Sequence, residues 1–473
     1  MRLTKLSQIF LLLLATTLVV GQDGRKSENW EKSQECIECH RSDSPAMIKH
    51  YEDSRHAAVG VSCLDCHQAD KGDKDLMDHN DFDIAVIVSP KDCAKCHEKE
   101  AKQFQKSHHA DAGSILGSLD NVLAEVVEGA MWFDGQSPAA VSGCKQCHGS
   151  VVEVDEDGHP TPTSWPNTGI GRINPDGSKG SCTACHSRHS FDVVTARNPE
   201  NCGKCHMGPD HPQIEIYNES KHGIKFRAHK DEMNMDAQPW RVGIEYSAAP
   251  TCATCHMSAT EELEVTHDVG DRISWTLRPP ISEKIDAKAI KAGKKVKPWK
   301  DRRDDMQNVC SKCHSMPFVE NFYVQYDQMV NMYNNKFAKP ATALYKAIRK
   351  EKLITGSVTF DDKIEWTYFF LWHHEGRRAR MGAAMMGPDY TQWHGNFEVA
   401  ERFYMEFVPE LKEVLHKNLA MGGEQAESAK RIEHQLEEIL NRDEHKWILG
   451  KMDPAEKKKR KENAKKFRSR YDQ

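Results

Sequence analysis

Apolar positions recur at helical spacing mainly in the last third of the chain. Ile432, Leu436, Ile439 and Leu440 are spaced at i, i+4, i+7 and i+8, which places them on one face of a helix. Upstream, short segments of helical pattern are separated by loops rich in glycine and proline, as over 160–180. Alternation typical of strands is scarce. The pattern predicts a mainly α protein, with an irregular N-terminal part and longer helices towards the C-terminus.

A separate apolar run, Ile9 to Val20, lies at the start of the chain behind Arg2 and Lys5. Small residues at Val19 and Gly21 complete the pattern of a secretory signal over 1–21. An uncleaved membrane anchor is the alternative, but the run is shorter than the ~20 residues of a spanning helix. We therefore expect export to the periplasm or an equivalent compartment, with no permanent membrane span.

The composition is too polar for an ordinary core of this size. Only 38% of the 473 residues are hydrophobic, and the mean hydropathy is -0.71. The net charge of -6, with no basic face interleaved with aromatic residues, gives no indication of nucleic-acid binding. Some apolar component other than side chains is therefore expected inside the fold.

The cysteines indicate what that component is. All 16 fall in eight copies of Cys-x-x-Cys-His, the attachment signature of c-type haem. In each copy the thiols bind the porphyrin and the histidine is the proximal iron ligand. Neither disulfides nor zinc sites explain a histidine at the same offset eight times. We predict eight covalently bound c-type haems, whose porphyrins complete the core. The motifs are Cys36/Cys39/His40, Cys63/Cys66/His67, Cys93/Cys96/His97, Cys144/Cys147/His148, Cys182/Cys185/His186, Cys202/Cys205/His206, Cys252/Cys255/His256 and Cys310/Cys313/His314.

The remaining 17 of the 25 histidines are candidates for the second axial position. A haem that only transfers electrons usually has two protein ligands, whereas a haem that binds substrate leaves one position open. The candidates for distal ligands are His56, His79, His109, His189, His222 and His267, with His374 as the seventh and His373 or His394 as its alternatives. His416, His434 and His445 lie in a polar helical region, where a solvated or structural role is expected.

Several longer motifs resemble the octahaem hydroxylamine oxidoreductases and their reductive relatives, from Cys36 to about Glu410. They include Cys-Thr-Ala-Cys-His-Ser-Arg-His over 182–189 and Cys-Gly-Lys-Cys-His-Met-Gly-Pro-Asp-His over 202–211. Ser-Lys-His-Gly at 220–223 and Thr-His-Asp at 266–268 also match. The resemblance implies turnover of small nitrogen compounds (hydroxylamine, nitrite, ammonium or NO) and electron exchange with a redox-partner cytochrome or quinone-linked carrier. It also implies that the long C-terminal helices form a bundle that builds a homotrimer.

The resemblance also implies that the fourth haem, on Cys144, Cys147 and His148, is catalytic and has an open distal face. The family's catalytic Asp-His pair matches Asp210 and His211, where the imidazole would carry protons. Alternatively, Asp210 caps a helix and His211 is a further distal ligand.

Tyr390 lies near the place where oxidative members attach a tyrosine from a neighbouring subunit to the fourth haem. Its surroundings depart from the oxidative pattern, and the stretch that begins at Trp165 is similar to the reductive branch. Tyr390 is therefore either this cross-linker or a packed aromatic, and the direction of the reaction depends on which.

The chain is accordingly divided into a signal peptide (1–21), an octahaem catalytic domain (22–320), a C-terminal helical domain for oligomerisation (321–450) and a basic tail (451–473), expected to be solvated and partly disordered. Two alternatives remain: a non-catalytic multihaem electron conduit and a hydrazine-oxidising relative.

Overall fold

The computed structural model describes residues 26–117, 123, 126–129, 132–356 and 358–472. The predicted signal peptide lies outside the described residues. The fold is mainly helical, as predicted, with 55% helix and 5% strand. Among the described residues, every helix is too short or too polar to cross a lipid bilayer.

The first half of the chain consists of short helices joined by long loops. Its α-helices are Ser33–Asp43, Pro45–Glu52, Arg55–Ala58, Cys63–His67, Pro90–Ala94, Glu98–Lys106, Lys145–His148, Val193–Arg197, Pro199–Gly203, Gln213–Glu219, Lys221–Ala228 and Cys252–His256. Its 3-10 helices are Ala112–Gly117, Cys182–Ala184 and Lys230–Met233, and a π-helix spans Ala140–Cys144. Segment 160–180 is a loop, as its glycines and prolines predict.

The strands Met77–His79 and Phe82–Ile84 form an antiparallel hairpin. Asn80 and Asp81 make its two-residue turn with φ of 53° and 67°. Both residue types tolerate this left-handed conformation, which a two-residue hairpin requires. The hairpin positions His79 at the end of the first strand.

The second half is built of longer helices. Its α-helices are Ala287–Lys291, Trp299–Ser311, Met316–Tyr333, Lys339–Lys350, Lys363–Phe370, Gly376–Ala384, Pro388–Thr391, Glu398–Glu401, Val408–Met421, Gly423–Leu440 and Pro454–Arg468. Its π-helical turns are Asn334–Ala338, Leu371–Glu375, Gln392–Phe397 and Arg402–Phe407.

The largest apolar core lies within these longer helices, between Tyr333 and Leu440. The predicted face of helix Gly423–Leu440 is confirmed, since Ile432, Leu436 and Ile439 are all at most 4% exposed. Up to residue 200 few large apolar side chains are buried, which fits a core completed by porphyrins, while a second apolar cluster that includes Phe226 and Trp240 lies between Tyr217 and Val309.

The basic tail differs from the sequence expectation. Instead of partial disorder, the structure shows helix Pro454–Arg468, whose residues are all exposed. Asp453 caps it by accepting hydrogen bonds from the backbone N–H groups of Ala455 and Glu456. Glu456 also pairs with Arg460 one turn later at 2.9 Å. The Asp453 cap and the Glu456–Arg460 pair together offset the repulsion between the lysines of this helix.

Candidate haem and catalytic site

Short capped helices present several of the haem motifs. Helix Cys63–His67 begins after Ser62, which forms a capping box with Asp65. Helix Cys252–His256 begins in the same way after Thr251. In both helices the motif histidine is the last residue, so the cap fixes the register of the whole Cys-x-x-Cys-His unit.

Three of the predicted haem-binding thiols do not lie in the interior. Cys39, Cys96 and Cys313 are exposed, whereas the other motif cysteines are partly buried. Each of the three is the second cysteine of its motif, and the protein chain leaves that side of the motif uncovered. In a thioether the porphyrin itself shields the sulfur, so the exposure of these thiols is compatible with haem attachment.

Four motif histidines face a predicted distal histidine at almost one common distance. The ring centroids lie 6.0 Å apart for His40–His79, 6.1 Å for His56–His97, 6.3 Å for His67–His189 and 6.1 Å for His222–His314. Two imidazole nitrogens bound about 2 Å from a metal on opposite sides place their ring centroids about 6 Å apart. The four pairs therefore fit a six-coordinate haem iron.

For the fifth, sixth and seventh motifs the pairing of motif histidine and distal histidine is less well defined. Among the charged groups around His186 of the fifth motif, His267 has the largest effect on its pKa, behind burial. His206 in the sixth motif faces both His109, at 6.0 Å, and His211, at 6.3 Å. His109 in turn interacts most strongly with His256 of the seventh motif. His109 thus lies between two motifs, and His211 competes with it for the sixth.

Burial keeps these imidazoles in the neutral form that binds metals. Burial, with a smaller effect from neighbouring histidines, lowers the pKa of His186 and His189 to about 4 and that of His206 to about 3. The histidine set therefore suits iron ligation.

Thiol neighbours give the order in which the motifs adjoin. The motif thiols that interact are Cys36 with Cys63, Cys66 with Cys93, Cys93 with Cys182, Cys185 with Cys202, Cys202 with Cys252, and Cys255 with Cys310. Cys147 of the fourth motif interacts with Cys205 of the sixth. The motifs thus form one connected series, one, two, three, five, six, seven and eight, from which the fourth branches at the sixth.

A charged cluster centred on Asp210 lies at this branch. Asp210 accepts a hydrogen bond from Arg377 at 2.7 Å. Its carboxylate lies 3.7 Å from Nδ1 of His211 and 3.9 Å from Nε2 of His373. His211 also contributes to lowering the pKa of the Cys147 thiol, behind the larger effect of Cys205. Asp210 and His211 therefore stand between the fourth and sixth motifs.

Asp210 does not cap a helix, because the helix that follows, Gln213–Glu219, has Pro212 at its N-cap. Nδ1 of His211 is buried and has no hydrogen-bond partner among the described residues. An unpartnered buried ring nitrogen beside a haem motif fits a group that approaches a bound ligand.

Sequence reasoning missed Arg377, and it offered His373 only as an alternative distal ligand. They are four residues apart, so they share one side of the helical stretch that begins with the π-helical turn Leu371–Glu375. Such turns often mark functional sites. Both residues are about 4% exposed, and Phe369 stacks on the His373 ring at 4.2 Å. The spacing was visible in the sequence, but its partner, Asp210, lies 167 residues away.

The other predicted residues lie elsewhere. His374 contacts Phe369, Phe370 and His373, none of which belongs to a haem motif, and it lines a cavity of about 390 Å³. Tyr390 is half-buried: its N–H donates to Glu219 at 3.3 Å, and its ring lies 5.4 Å from that of His394. His394 itself is exposed and pairs with Glu398.

Comparison with known proteins gives two family profiles. One, described as "Seven times multi-haem cytochrome CxxCH", matches residues 175–361, and one described as "Cytochrome c7 and related cytochrome c" matches 131–207. Over 131–361 the chain is therefore similar to multihaem c-type cytochromes, whose Cys-x-x-Cys-His motifs bind haem covalently.

Its relatives define the class further. A probable nitrite reductase-hydroxylamine oxidoreductase fusion protein of Kuenenia stuttgartiensis is 25% identical over 350 residues, which cover 63% of this chain and 36% of that protein. A solved hypothetical multiheme protein has a TM-score of 0.70 and 26% identity, over 83% of this chain and 97% of its own. A chain of the reducing HAO-like protein complex of Kuenenia stuttgartiensis shares the fold (TM-score 0.60, 18% identity, 81% and 85% coverage).

These similarities confirm the resemblance to hydroxylamine-oxidoreductase-like multihaem proteins. The chain spans about a third of the length of the fusion protein.

Proposed function

We propose that the protein is an octahaem oxidoreductase that reduces nitrite or hydroxylamine at its fourth haem, with electrons arriving through seven bis-histidine haems. The branching position of the fourth motif supports this assignment, because the other seven motifs form a continuous series without it. A catalytic centre at a branch takes electrons from the series without interrupting it.

The observation that carries the proposal is the cluster of Asp210, His211, His373 and Arg377 beside the fourth motif. When bound, the fourth haem would supply an iron that takes up the substrate nitrogen and delivers electrons. Arg377 is buried and cationic, and is suited to hold an anion such as nitrite. Asp210 neutralises Arg377 when the substrate is absent and orients the His211 imidazole.

Reduction of nitrite or hydroxylamine consumes protons, and histidine is the side chain best suited to transfer them near neutral pH. In this proposal His211 donates protons in the site, and His373 lies on the other side of Asp210 as a second carrier. His109 then serves the sixth haem; His374, the seventh distal ligand expected from the sequence, contacts Phe369, Phe370 and His373 rather than a haem motif.

The reductive direction rests on Tyr390. Its sequence context departs from that of the oxidative family members, and an unlinked fourth haem suits donation of electrons to substrate. Within one chain Tyr390 packs near Glu219 and His394, as an ordinary aromatic does.

A group of exposed apolar residues supports the proposed homotrimer. Trp393, Phe397 and Met405 are 58%, 50% and 62% exposed and lie on the helical stretch after Tyr390. Several large exposed apolar residues on one segment are typical of a surface that another subunit covers. Export by the signal peptide remains part of the proposal, since c-type haem is attached outside the cytoplasm.

Anaerobic assays with a reduced dye test the function directly. The fully loaded protein should convert nitrite or hydroxylamine to ammonium, and Asp210→Asn should lower kcat by ~10²–10⁴ through the loss of oriented proton transfer. The matched control is Asp231→Asn, at an exposed carboxylate on another surface. Absence of turnover in the wild type, with all haems low-spin, would identify an electron conduit instead.

A further inference from the structure

The C-terminal helix Pro454–Arg468 buries none of its residues against the rest of the protein. All 15 of them are exposed. A helix of this length is only marginally stable in water when it does not pack on other elements, and like charges one turn apart weaken it further. Within a single chain, therefore, little beyond the Asp453 cap and the Glu456–Arg460 pair stabilises this helix.

The charge of the basic tail, 451–473, is opposite to that of the rest of the protein. The tail contains ten lysines and arginines and four aspartates and glutamates, which gives it a net charge of +6. Because the whole chain carries -6, residues 1–450 carry -12. An anionic surface would attract the tail and repel the remainder, so that it would hold the protein in one orientation.

An aromatic patch lies at the far end of the tail helix. Phe467 and Tyr471 are 56% and 76% exposed, and their ring centroids are 5.4 Å apart. Ala464 precedes Phe467 by three residues and therefore lies on the same side of the helix. The helical period places basic residues on both flanks of this side, namely Lys457, Lys461 and Arg468 on one flank and Lys459 and Lys466 on the other.

This combination is typical of helices that lie in the interface of an anionic bilayer. Their aromatic residues enter the boundary between headgroups and acyl chains. Lysine and arginine side chains beside them extend their charged ends to the phosphates.

A second group of exposed apolar residues precedes the tail. Trp447 is 65% exposed, and Ile448 and Leu449 after it are also exposed. The segment is anchored immediately before them, because His445 is fully buried and its Nδ1 shares a 2.6 Å hydrogen bond with the hydroxyl of Tyr404. Tyr404 in turn packs against the largest core. The basic helix thus starts from a fixed point and has exposed aromatic residues before it and at its end.

We propose that residues 447–471 dock the protein on an anionic phospholipid surface. The lysines and arginines of the tail would contact headgroup phosphates, while Trp447, Phe467 and Tyr471 enter the interfacial layer, where tryptophan and tyrosine are enriched. The acidic part of a second copy would attract the same basic residues. A hydrated acidic protein surface, however, leaves the aromatic residues exposed to water, so the bilayer fits both features of the tail.

Sedimentation of the full, haem-loaded protein with lipid vesicles tests this docking. Vesicles of equimolar phosphatidylglycerol and phosphatidylcholine should bind the protein at low salt and release it at high salt, and vesicles of phosphatidylcholine alone should not bind it. A tail variant with Lys459→Gln, Lys461→Gln and Lys466→Gln should partition on the order of 100-fold more weakly, since each basic residue near the surface contributes about fivefold. The matched control combines Lys291→Gln, Lys294→Gln and Lys295→Gln, which remove the same charge at exposed positions outside the tail. This control should bind as the wild type does.

A wild type that stays in solution with the anionic vesicles would overturn the proposal, as would equal losses of binding in the two triple variants. Analytical ultracentrifugation without lipid identifies the competing partner. A self-association that only the tail variant loses, in a protein that does not bind vesicles, would assign the tail to a second copy of the chain.

The aromatic patch has its own test. Phe467→Ala with Tyr471→Ala should weaken vesicle binding and leave a residual binding that high salt abolishes; unchanged binding would refute insertion of these rings. Turnover with a reduced dye in solution should be the same in all of these variants, so that membrane docking and the proposed reaction are tested separately.

Discussion

Replacement of His211 by alanine separates the two roles open to this residue. As a proton donor it would be needed for turnover but not for haem ligation. As a distal ligand of the sixth haem, which its ring separation of 6.3 Å from His206 allows, it would be needed for the low-spin state of that iron. A proton donor predicts a loss of turnover with unchanged spin states, whereas a distal ligand predicts a new high-spin haem.

The structure indicates that the variant folds. The His211 side chain is 29% exposed, and its contact with Asp210 is a loose 3.7 Å. Asp210 keeps its 2.7 Å bond to Arg377, so no carboxylate is left unpaired. We expect a loss of stability of about 1 kcal/mol or less, as for other partly exposed ion pairs.

The expected effect on catalysis is much larger. Loss of a positioned proton donor lowers the rate by ~10²–10⁴, or about 2.7–5.5 kcal/mol of barrier. Steady-state nitrite and hydroxylamine reduction measures the rate, and magnetic circular dichroism measures the spin states. His434→Ala, at a side chain 73% exposed on helix Gly423–Leu440, is the control and should match the wild type. A variant that gains a second high-spin haem would refute the proton-donor role.

Three further predictions follow. Denatured protein should weigh about eight haems more than its polypeptide by mass spectrometry, and a stable folded form with six or fewer would contradict the motif count. Tyr390→Phe should leave spectra and reductive activity unchanged, and wild-type subunits should separate in hot detergent; a covalent dimer band lost in the variant would favour the oxidative reaction. Leu411→Ala should lower the unfolding free energy by ~2–5 kcal/mol in denaturant titrations, because Leu411 is fully buried in the largest core; a change below 1 kcal/mol would show that this core collapses around the gap.

Local patterns predicted the fold class and the haem motifs because both depend on residues close in sequence. The apolar face at Ile432 and Leu436 and the motif helices follow from spacing and caps alone. The expectation for the basic tail differs from the structure in one respect. Its charge density indicated partial disorder, while the Asp453 cap and the Glu456–Arg460 pair favour a helix.

Burial of the individual motif thiols could not be predicted from the motif itself. The Cys-x-x-Cys-His spacing is the same in all eight copies, yet Cys39 and Cys96 are exposed while their motif partners Cys36 and Cys93 are partly buried. Which side of a motif the chain covers depends on the segments that pack against it, and these lie far away in sequence.

The candidate site was predictable only in part. Asp210 and His211 adjoin the sixth motif, so their proximity to it was visible. Arg377 and His373 reach Asp210 only through the packing of helix Gly376–Ala384 and the turn before it against the haem region, which no local pattern encodes. The choice between His109 and His211 for the sixth motif likewise depends on tertiary proximity.

The central claim is that one haem of the eight is open to substrate while seven are not. Magnetic circular dichroism and electron paramagnetic resonance on the oxidised, fully loaded protein count the spin states most directly. The account predicts one high-spin iron and seven low-spin irons, with nitrite perturbing only the high-spin signal. Eight low-spin irons whose spectra do not change with nitrite would contradict this claim and would indicate an electron conduit.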